Sequence, residues 1–405
     1  MSLKKVLVAL AALGTSALSS PTRAKRAAAY DDNPFDGVAM YVNPFYRDEI
    51  YELAIPQMSG SLAEKAKLVA ETPSFQWLDK IAKIDLMSAT LAEIREANNA
   101  GADPPYAGLF VLYNFPDRDC SAKASDGELH LDEDGLERYR TEYIDPVAEL
   151  VKEYDDVRII FVYEPDGLAN LVTNLDGVEK CANAADAYHQ STVYALETLN
   201  HDNVALYLDA GHAGWLGWPG NLNTTAQVFG AVYKEAGKPG AVRGLVTNVS
   251  NFNAYNATEP PAYATENPNS DESKFHESLV PYLEENDFPT HFIVDTGRSG
   301  AQPAGRESWS AWCNVKDTGF GIRPSADTGS ELLDAFVWVK PGGESDGTSD
   351  EEAVRYDVNC SSNSSYVPAP EAGEWFQEYF EMLIKNADPP FKVDCKSKKN
   401  KKRSL

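Results

Sequence analysis

Four acidic residues stand just after two short apolar runs: Asp117 and Asp119 in GLFVLYNFPDRDC, and Glu164 and Asp166 in RIIFVYEPD. Two carboxyl groups brought to one place can do acid–base work, because burial and a neighbouring negative charge keep one protonated while the other stays ionised. That is the equipment of glycoside hydrolysis, in which one carboxyl protonates the departing oxygen and the other must not hold a proton. Each preceding run is rich in β-branched and aromatic residues, the composition of a strand buried on both faces. A helical stretch lies between the runs. Strand, helix and parallel strand make one βαβ unit, which places the four carboxylates at the same edge of a sheet.

The elements that must hold this unit repeat along the chain. Apolar runs at 39–42, 109–115, 158–163, 204–208, 243–246, 291–294 and 336–339 predict seven strands. Helical or loop-rich segments of roughly 30–50 residues separate most of them, a pattern of repeated βα units and a closed or nearly closed parallel barrel. Ser61 followed by Glu64 has capping-box spacing and predicts a helix start, and LMSATLAEIREANNAG reads as an amphipathic helix ending at Gly101. The strands lead into PDRDC, EPD, DAGHAGWLGWP, NVSN, DTGRSG and KPGGESDGTSD. Parallel barrels build their sites at these C-terminal strand ends. Indole faces stack on the apolar faces of sugar rings while carboxylates and amides take hydroxyls, so the mixture suits a neutral polysaccharide.

Composition bounds the setting. Lys4 and Lys5, an apolar run at 6–18 and small residues near Ser19 and Ser20 have the form of a secretory signal, expected to span 1–24 with a propeptide extending to 29. No later segment is apolar for long enough to cross a bilayer, so a secreted, extracellular protein is expected. The rest reads as one catalytic domain over 30–391 and a basic, disordered tail over 392–405, with no appended small module. Without the first 26 residues and that tail, 24 basic groups face 61 acidic ones, a charge that would repel nucleic acid and anionic membranes. Five cysteines are too far apart for a zinc motif and suit oxidised pairing, with one left over. Asn223, Asn248, Asn256, Asn359 and Asn363 stand in glycosylation sequons. His212 has no second histidine in these loops, so neither metal nor cofactor is expected.

The blocks YNFPDRDCSAKASDGE, EPDGLANLVTNL, KCANA, YLDAGHAGWLGWP, RGLVTNVSN, DTGRSG, WCNVKDTGFGIRPS and WVKPGGESDGTSD, in this order over about 37–391, resemble glycoside hydrolase family 6, the inverting cellulases. The resemblance implies a distorted seven-stranded parallel α/β barrel with its site in a tunnel or groove. It implies Asp166 as general acid and Asp119 as the residue that keeps this acid protonated and stabilises the cationic transition state. Asp346 matches the aspartate proposed as base, with Ser125 and a water chain to Asp119 as other participants, and Tyr113 matches a tyrosine that distorts the sugar ring. Substrate-binding residues implied by the blocks are Trp77, Asp79, Asp209, His212, Trp215, Trp218, Asn251, Trp312, Lys340 and Glu344, while Arg298 would fix Asp346. Four positions depart from the family pattern: Asn114 for Asp, Ser345 for Cys, Gly167 for a small hydroxyl residue and Thr296 for a polar amide.

The resemblance also implies disulfides Cys120–Cys181 and Cys313–Cys360, stapling the two segments that can roof the groove. Both segments look full-length, which favours a monomeric cellobiohydrolase releasing cellobiose from non-reducing ends of cellulose and cello-oligosaccharides over an endoglucanase of the same family. A non-catalytic glucan-binding protein would require loss of Asp119 or Asp166, and both are present.

Overall fold

The structure, a computed structural model, describes residues 32–302 and 305–393. The expected signal, the leftover Cys395 and most of the basic tail lie outside the described residues. Eight strands form: β1 (Ala39–Met40), β2 (Gln76–Leu78), β3 (Tyr106–Leu112), β4 (Ile159–Tyr163), β5 (Val204–Asp209), β6 (Val242–Thr247), β7 (His291–Asp295) and β8 (Leu333–Val337). All pair in parallel, from β3 through β8 in chain order. β1 and β2 divide one edge of β3 between them, β1 against Tyr106 and Ala107 and β2 against Phe110, Val111 and Leu112. Eight strands therefore fill seven positions, the number expected, in a curled half-barrel.

Alternating side chains set the layers. Phe110, Leu112, Ile159, Phe161, Tyr163, Leu206 and Leu208 pack outward into the helix-facing cluster, while Leu109, Val111, Ile160, Val162, Ala205 and Tyr207 fill the interior. A period of two with both faces apolar is what a strand covered on both sides requires. A further cluster joins the helices Gly60–Ala70 and Gln377–Lys385 to Phe320 and Trp338 beside the end of β8. Among the described residues no ladder joins β8 to β1 or β2. That seam is bridged by the Phe75 N–H, which donates to Trp338 O (2.9 Å), and by Trp77 Nε1, which donates to Val339 O (2.8 Å).

Several expected boundaries shift. The run at 109–115 leaves its ladder after Leu112 as the following amides turn to other partners: Tyr113 N is shared between Leu78 O (3.3 Å) and Tyr143 Oη (3.0 Å), and Asn114 N and Phe115 N reach the Glu164 carboxylate (3.1 to 3.2 Å). The last strand starts at Leu333, three residues before the run at 336–339, and β2 was not expected at all. The Gly60–Ala70 helix begins one residue before Ser61, with Ser59 at its cap and no side-chain capping bond, so the capping box does not form. The amphipathic run does fold as the helix Ile84–Asn99.

Both implied disulfides are present, Cys120 to Cys181 across 61 positions and Cys313 to Cys360 across 47. Loops of that length are where a cross-link restricts the unfolded chain most. Asn248 is buried, with its amide nitrogen donating to Asn253 O and Asp295 O, so this sequon serves the fold and cannot carry a glycan.

Candidate active site

Leu112, Tyr163 and Leu208 are register neighbours on β3, β4 and β5, so the segments after them leave one rim together. Several residues just beyond the rim take positive φ: Asp117 (51°), Asp119 (57°), Glu164 (45°), Asp166 (64°) and Asn248 (70°). Such conformations cost of order 1–3 kcal/mol each in residues other than glycine and persist where the surroundings over-determine them. The surroundings are visible. Asp166 N donates to Asp209 Oδ1 (2.9 Å), and Ser125 N donates to Asp119 Oδ2 (2.7 Å). Gly167 begins the helix Gly167–Thr173, and a Cβ there would lie 2.6 Å from Phe115 Cε2. Glycine at this departure from the family pattern therefore lets the turn at Asp166 close on the β3 loop.

Two connected chambers run across the rim. The first, about 370 Å³, is lined by Asp119, Asp166, Ser250, Trp215, Trp312 and Asp346 among others. The second, about 540 Å³, holds Asp79, Lys83, Glu128 and Glu344. Trp77, Tyr113, Ser125 and Lys340 line both, and so form the waist of one groove. Trp77 stands edge-on to Tyr113 (5.3 Å between centroids), with Lys340 Nζ 5.5 Å from its ring, and Arg118 stacks 4.5 Å from the Tyr113 ring. The tyrosine at the waist is thus wedged on two sides.

The electrostatics separate the carboxyls by role. Burial pushes Asp166 up to about 6, the hydrogen bond from Ser250 opposes this, and the Asp119 charge adds to it. Asp119 is also raised by burial, against the pull of Ser125 N–H, Lys180 and Arg118. Asp346 is salt-bridged instead: Arg298 Nη1 lies 2.8 Å from both its oxygens, Asn314 N donates to Oδ2 at 2.8 Å, and Lys340 Nζ is 3.9 Å away. His212 sits between Gly214 N and the Asn251 amide, pushed down to about 3 by burial and then by Arg306, so it is a neutral imidazole. Among the described residues no cluster of three His, Cys, Asp or Glu is placed to hold a metal ion.

Most residues singled out from sequence line the groove: Asp119, Asp166, His212, Trp215, Asn251, Trp312 and Asp346 in the first chamber, Asp79 and Glu344 in the second, Trp77, Tyr113, Ser125 and Lys340 in both. Asp209 does not line it. It is buried behind Asp166, accepting from Asp166 N and Gly211 N, and braces backbone where a sugar contact was expected. Trp218 lines neither chamber and donates through Nε1 to Gly214 O. Asp117 and Glu164 leave the rim beside Asp119 and Asp166 but line neither chamber, and Glu164 clamps the β3 loop through Asn114 N, Phe115 N and Tyr139 Oη. Asn114, the departure beside it, donates to Glu128 (3.1 Å). Sequence reasoning missed Ser250, which bonds Asp166, and Trp309, which lies against Gly214 in the first chamber with Nε1 buried and unpartnered. The ESWSAW spacing, with Trp309 three residues before Trp312, was the available signal for the second.

These buried carboxyls set a pH dependence of stability. Burial raises Asp166 and Asp295 to about 6 and Glu164 and Glu272 to about 7. In the unfolded chain the same groups release their protons near pH 4. Their contribution is therefore complete below that pH and is lost as pH rises through 6 and 7. Asp79 and Asp334, held low by Lys83 and by His291 with Arg243, act oppositely, and their contribution is lost below pH 4. Thermal midpoints should be highest at about pH 4 and fall as the pH rises to about 7, and a maximum at pH 8 would contradict the assignment.

Buried carboxyls gathered at the C-terminal rim of a parallel half-barrel, in a groove walled by indoles, define a hydrolase of glycosidic bonds. The sequence profile described as Glycosyl hydrolases family 6 matches residues 35–387. The chain is 54% identical over 365 residues to the 1,4-beta-D-glucan cellobiohydrolase CEL6A of Podospora anserina, covering 90% of this chain and 75% of that protein. It is 52% identical over 386 residues to Exoglucanase-6A of Humicola insolens, covering 93% and 81%. The solved catalytic core domain of the cellobiohydrolase Cel6A from Chaetomium thermophilum superposes with a TM-score of 0.88 at 57% identity, covering 89% of this chain and all of that one. The Humicola insolens cellobiohydrolase II in complex with glucose and cellotetraose gives 0.87 at 53%, with the same coverage. The chain belongs to glycosyl hydrolases family 6.

Proposed function

We infer that this glycoside hydrolase is a cellobiohydrolase, cleaving β-1,4-glucan with inversion and releasing cellobiose from non-reducing ends. The observation that carries this reading is the close approach of the two disulfide-tied segments at Gly347 and Ala124, next in sequence to Asp346 and to Ser125, which bonds Asp119. A Cβ placed on Gly347 would lie 2.6 Å from Cys360 Sγ and 2.9 Å from Ala124 Cβ, so only glycine lets the two segments come this close. A groove covered there admits a chain by its end and retains it between cuts, whereas an uncovered cleft binds mid-chain. The names of the relatives and the cellotetraose bound in one neighbour support the same substrate.

In this reading Asp166 protonates the leaving oxygen, and Asp119 keeps that proton in place and faces the developing cation. Tyr113, wedged at the waist, presses the ring at the cleavage point out of its resting chair. Asp346, matched to the family's candidate base, has both oxygens turned to Arg298 and Oδ2 also to Asn314 N. We therefore place water activation on Asp119 with Ser125, and give Asp346 the part of a fixed anion. Trp77, Trp215 and Trp312 offer stacking faces, with Asp79, His212, Asn251, Lys340 and Glu344 meeting hydroxyls. The catalytic unit is one domain over about 30–391, acting as a monomer. Two disulfides fit an extracellular setting, and among the described residues no helix is long and apolar enough to cross a membrane.

The test is the product profile. Amorphous cellulose should yield mainly cellobiose, appearing first as the α-anomer, while the viscosity of carboxymethyl cellulose barely changes. A steep fall in viscosity with little soluble sugar would return the endoglucanase reading, and binding without any release would return the glucan-binding one.

A further inference from the structure

The hydroxyl of Ser250 donates to Asp166 Oδ1 at 2.7 Å, and both side chains line the first chamber. Ser250 comes from the loop after β6, two positions along the sheet from the β4 end that carries Asp166. Its backbone is fixed. Asn248 is pinned by its amide bonds to Asn253 O and Asp295 O, and Asn251 N donates back to Asn248 O (3.2 Å). The acid is fixed from its other side by Asp209, which accepts from Asp166 N. A serine hydroxyl has one proton to donate, and here it is committed to one named carboxyl oxygen.

We propose that Ser250 is a positioning residue for the general acid: by occupying Oδ1 it directs the transferable proton to Oδ2, and it then stabilises the carboxylate left after transfer. This rests on the reading of Asp166 as that acid. In the step concerned, the proton leaves Asp166 Oδ2 for the glycosidic oxygen as the bond from that oxygen to the anomeric carbon breaks. Water adds to the anomeric carbon and its proton passes to Asp119; that proton then returns through solvent to the Asp166 carboxylate, so the sum is one water consumed per bond cut. The carboxylate formed is buried, and a hydrogen bond to a charged group in such a place is among the stronger ones.

The charged and titratable groups around Asp166 are Asp119 and Tyr113 from the β3 loop and Asp209 from β5. His212, Lys340 and the Arg298–Asp346 pair complete the chamber. Burial and the Asp119 charge favour the protonated acid, and Ser250 is the group that opposes them. Removing the hydroxyl therefore has two linked results: the acid holds its proton to higher pH, and it gives that proton up less readily.

The experiment compares Ser250→Ala and Ser250→Thr with the parent on cellotetraose and on β-cellobiosyl fluoride, whose fluoride departs without needing a proton. For Ser250→Ala on cellotetraose the alkaline limb of kcat should move up by about half to one pH unit, and kcat at the optimum should fall roughly tenfold. Fluoride release should stay within about twofold of the parent, because it bypasses the acid. Ser250→Thr keeps a hydroxyl and should restore both the limb and the rate. An unmoved alkaline limb, or equal losses on both substrates, would make Ser250 a structural residue and overturn the proposal. Asp166→Ala run alongside separates the two readings. If it still turns over cellotetraose, the acid assignment falls and this inference with it; if it is inactive while Ser250→Ala keeps the parent's limb, only the inference falls.

Discussion

Replacing Asp166 by Ala is expected to lower cellotetraose turnover by about 10²–10⁴-fold, the usual contribution of a positioned general acid. Binding should survive, because the stacking faces of Trp77, Trp215 and Trp312 and the polar groups of the second chamber are untouched. The fold should survive too. Burial disfavours the charged form of Asp166, and the hydroxyl of the half-buried Ser250 can turn to water when its partner is removed. Single-turnover kinetics with titration calorimetry on cellotetraose check this directly. Turnover near the parent's, with the protein folded, would remove Asp166 from the chemistry and leave the groove as a binding site.

The second large effect is on stability. Arg298 is 2% exposed, bonds both oxygens of Asp346, donates through Nη2 to Val249 O and lies 4.2 Å over the Phe252 ring. Arg298→Ala would strand the nearly buried Asp346 with the Asn314 amide and a distant Lys340. Breaking a buried pair from one side costs about 3–5 kcal/mol, a large share of a typical stability of 5–15 kcal/mol. Denaturant titration should show that loss. Adding Asp346→Asn to the same chain should recover part of it, because the stranded charge is then gone. A loss below about 1 kcal/mol, or no recovery in the double variant, would mean that the pair does not hold these loops.

What could be read before the structure was whatever depends on composition and order. β3, β4 and β5 carry apolar side chains on both faces over five to seven residues, and no other arrangement of such runs buries them as well. The carboxylates at their ends followed from chain direction alone. β2 escaped notice because three residues carry no period, although Trp77 within it was recognised as a binding residue. Asp209 misled for a different reason. An aspartate at a strand end looks the same in sequence whether it faces a sugar or a backbone N–H, and only the turn at Asp166, with φ at 64°, brings that N–H within its reach. The partnership of Ser250 with Asp166 was equally hidden, since it joins loops 84 positions apart through one rotamer.

The gap in the ladder between β8 and the first two strands falls where the two chambers join, for Trp77 and Lys340, which line both, stand on its two banks. Had hydrogen bonding run all the way round, the mouth of the barrel would have been a bowl, ringed by side chains and suited to small molecules that arrive and leave by the same door. With no ladder there among the described residues, and the Phe75–Trp338 and Trp77–Val339 hydrogen bonds across the seam, the rim is drawn out instead into one elongated groove of two chambers, a shape that suits a linear chain better than a compact molecule.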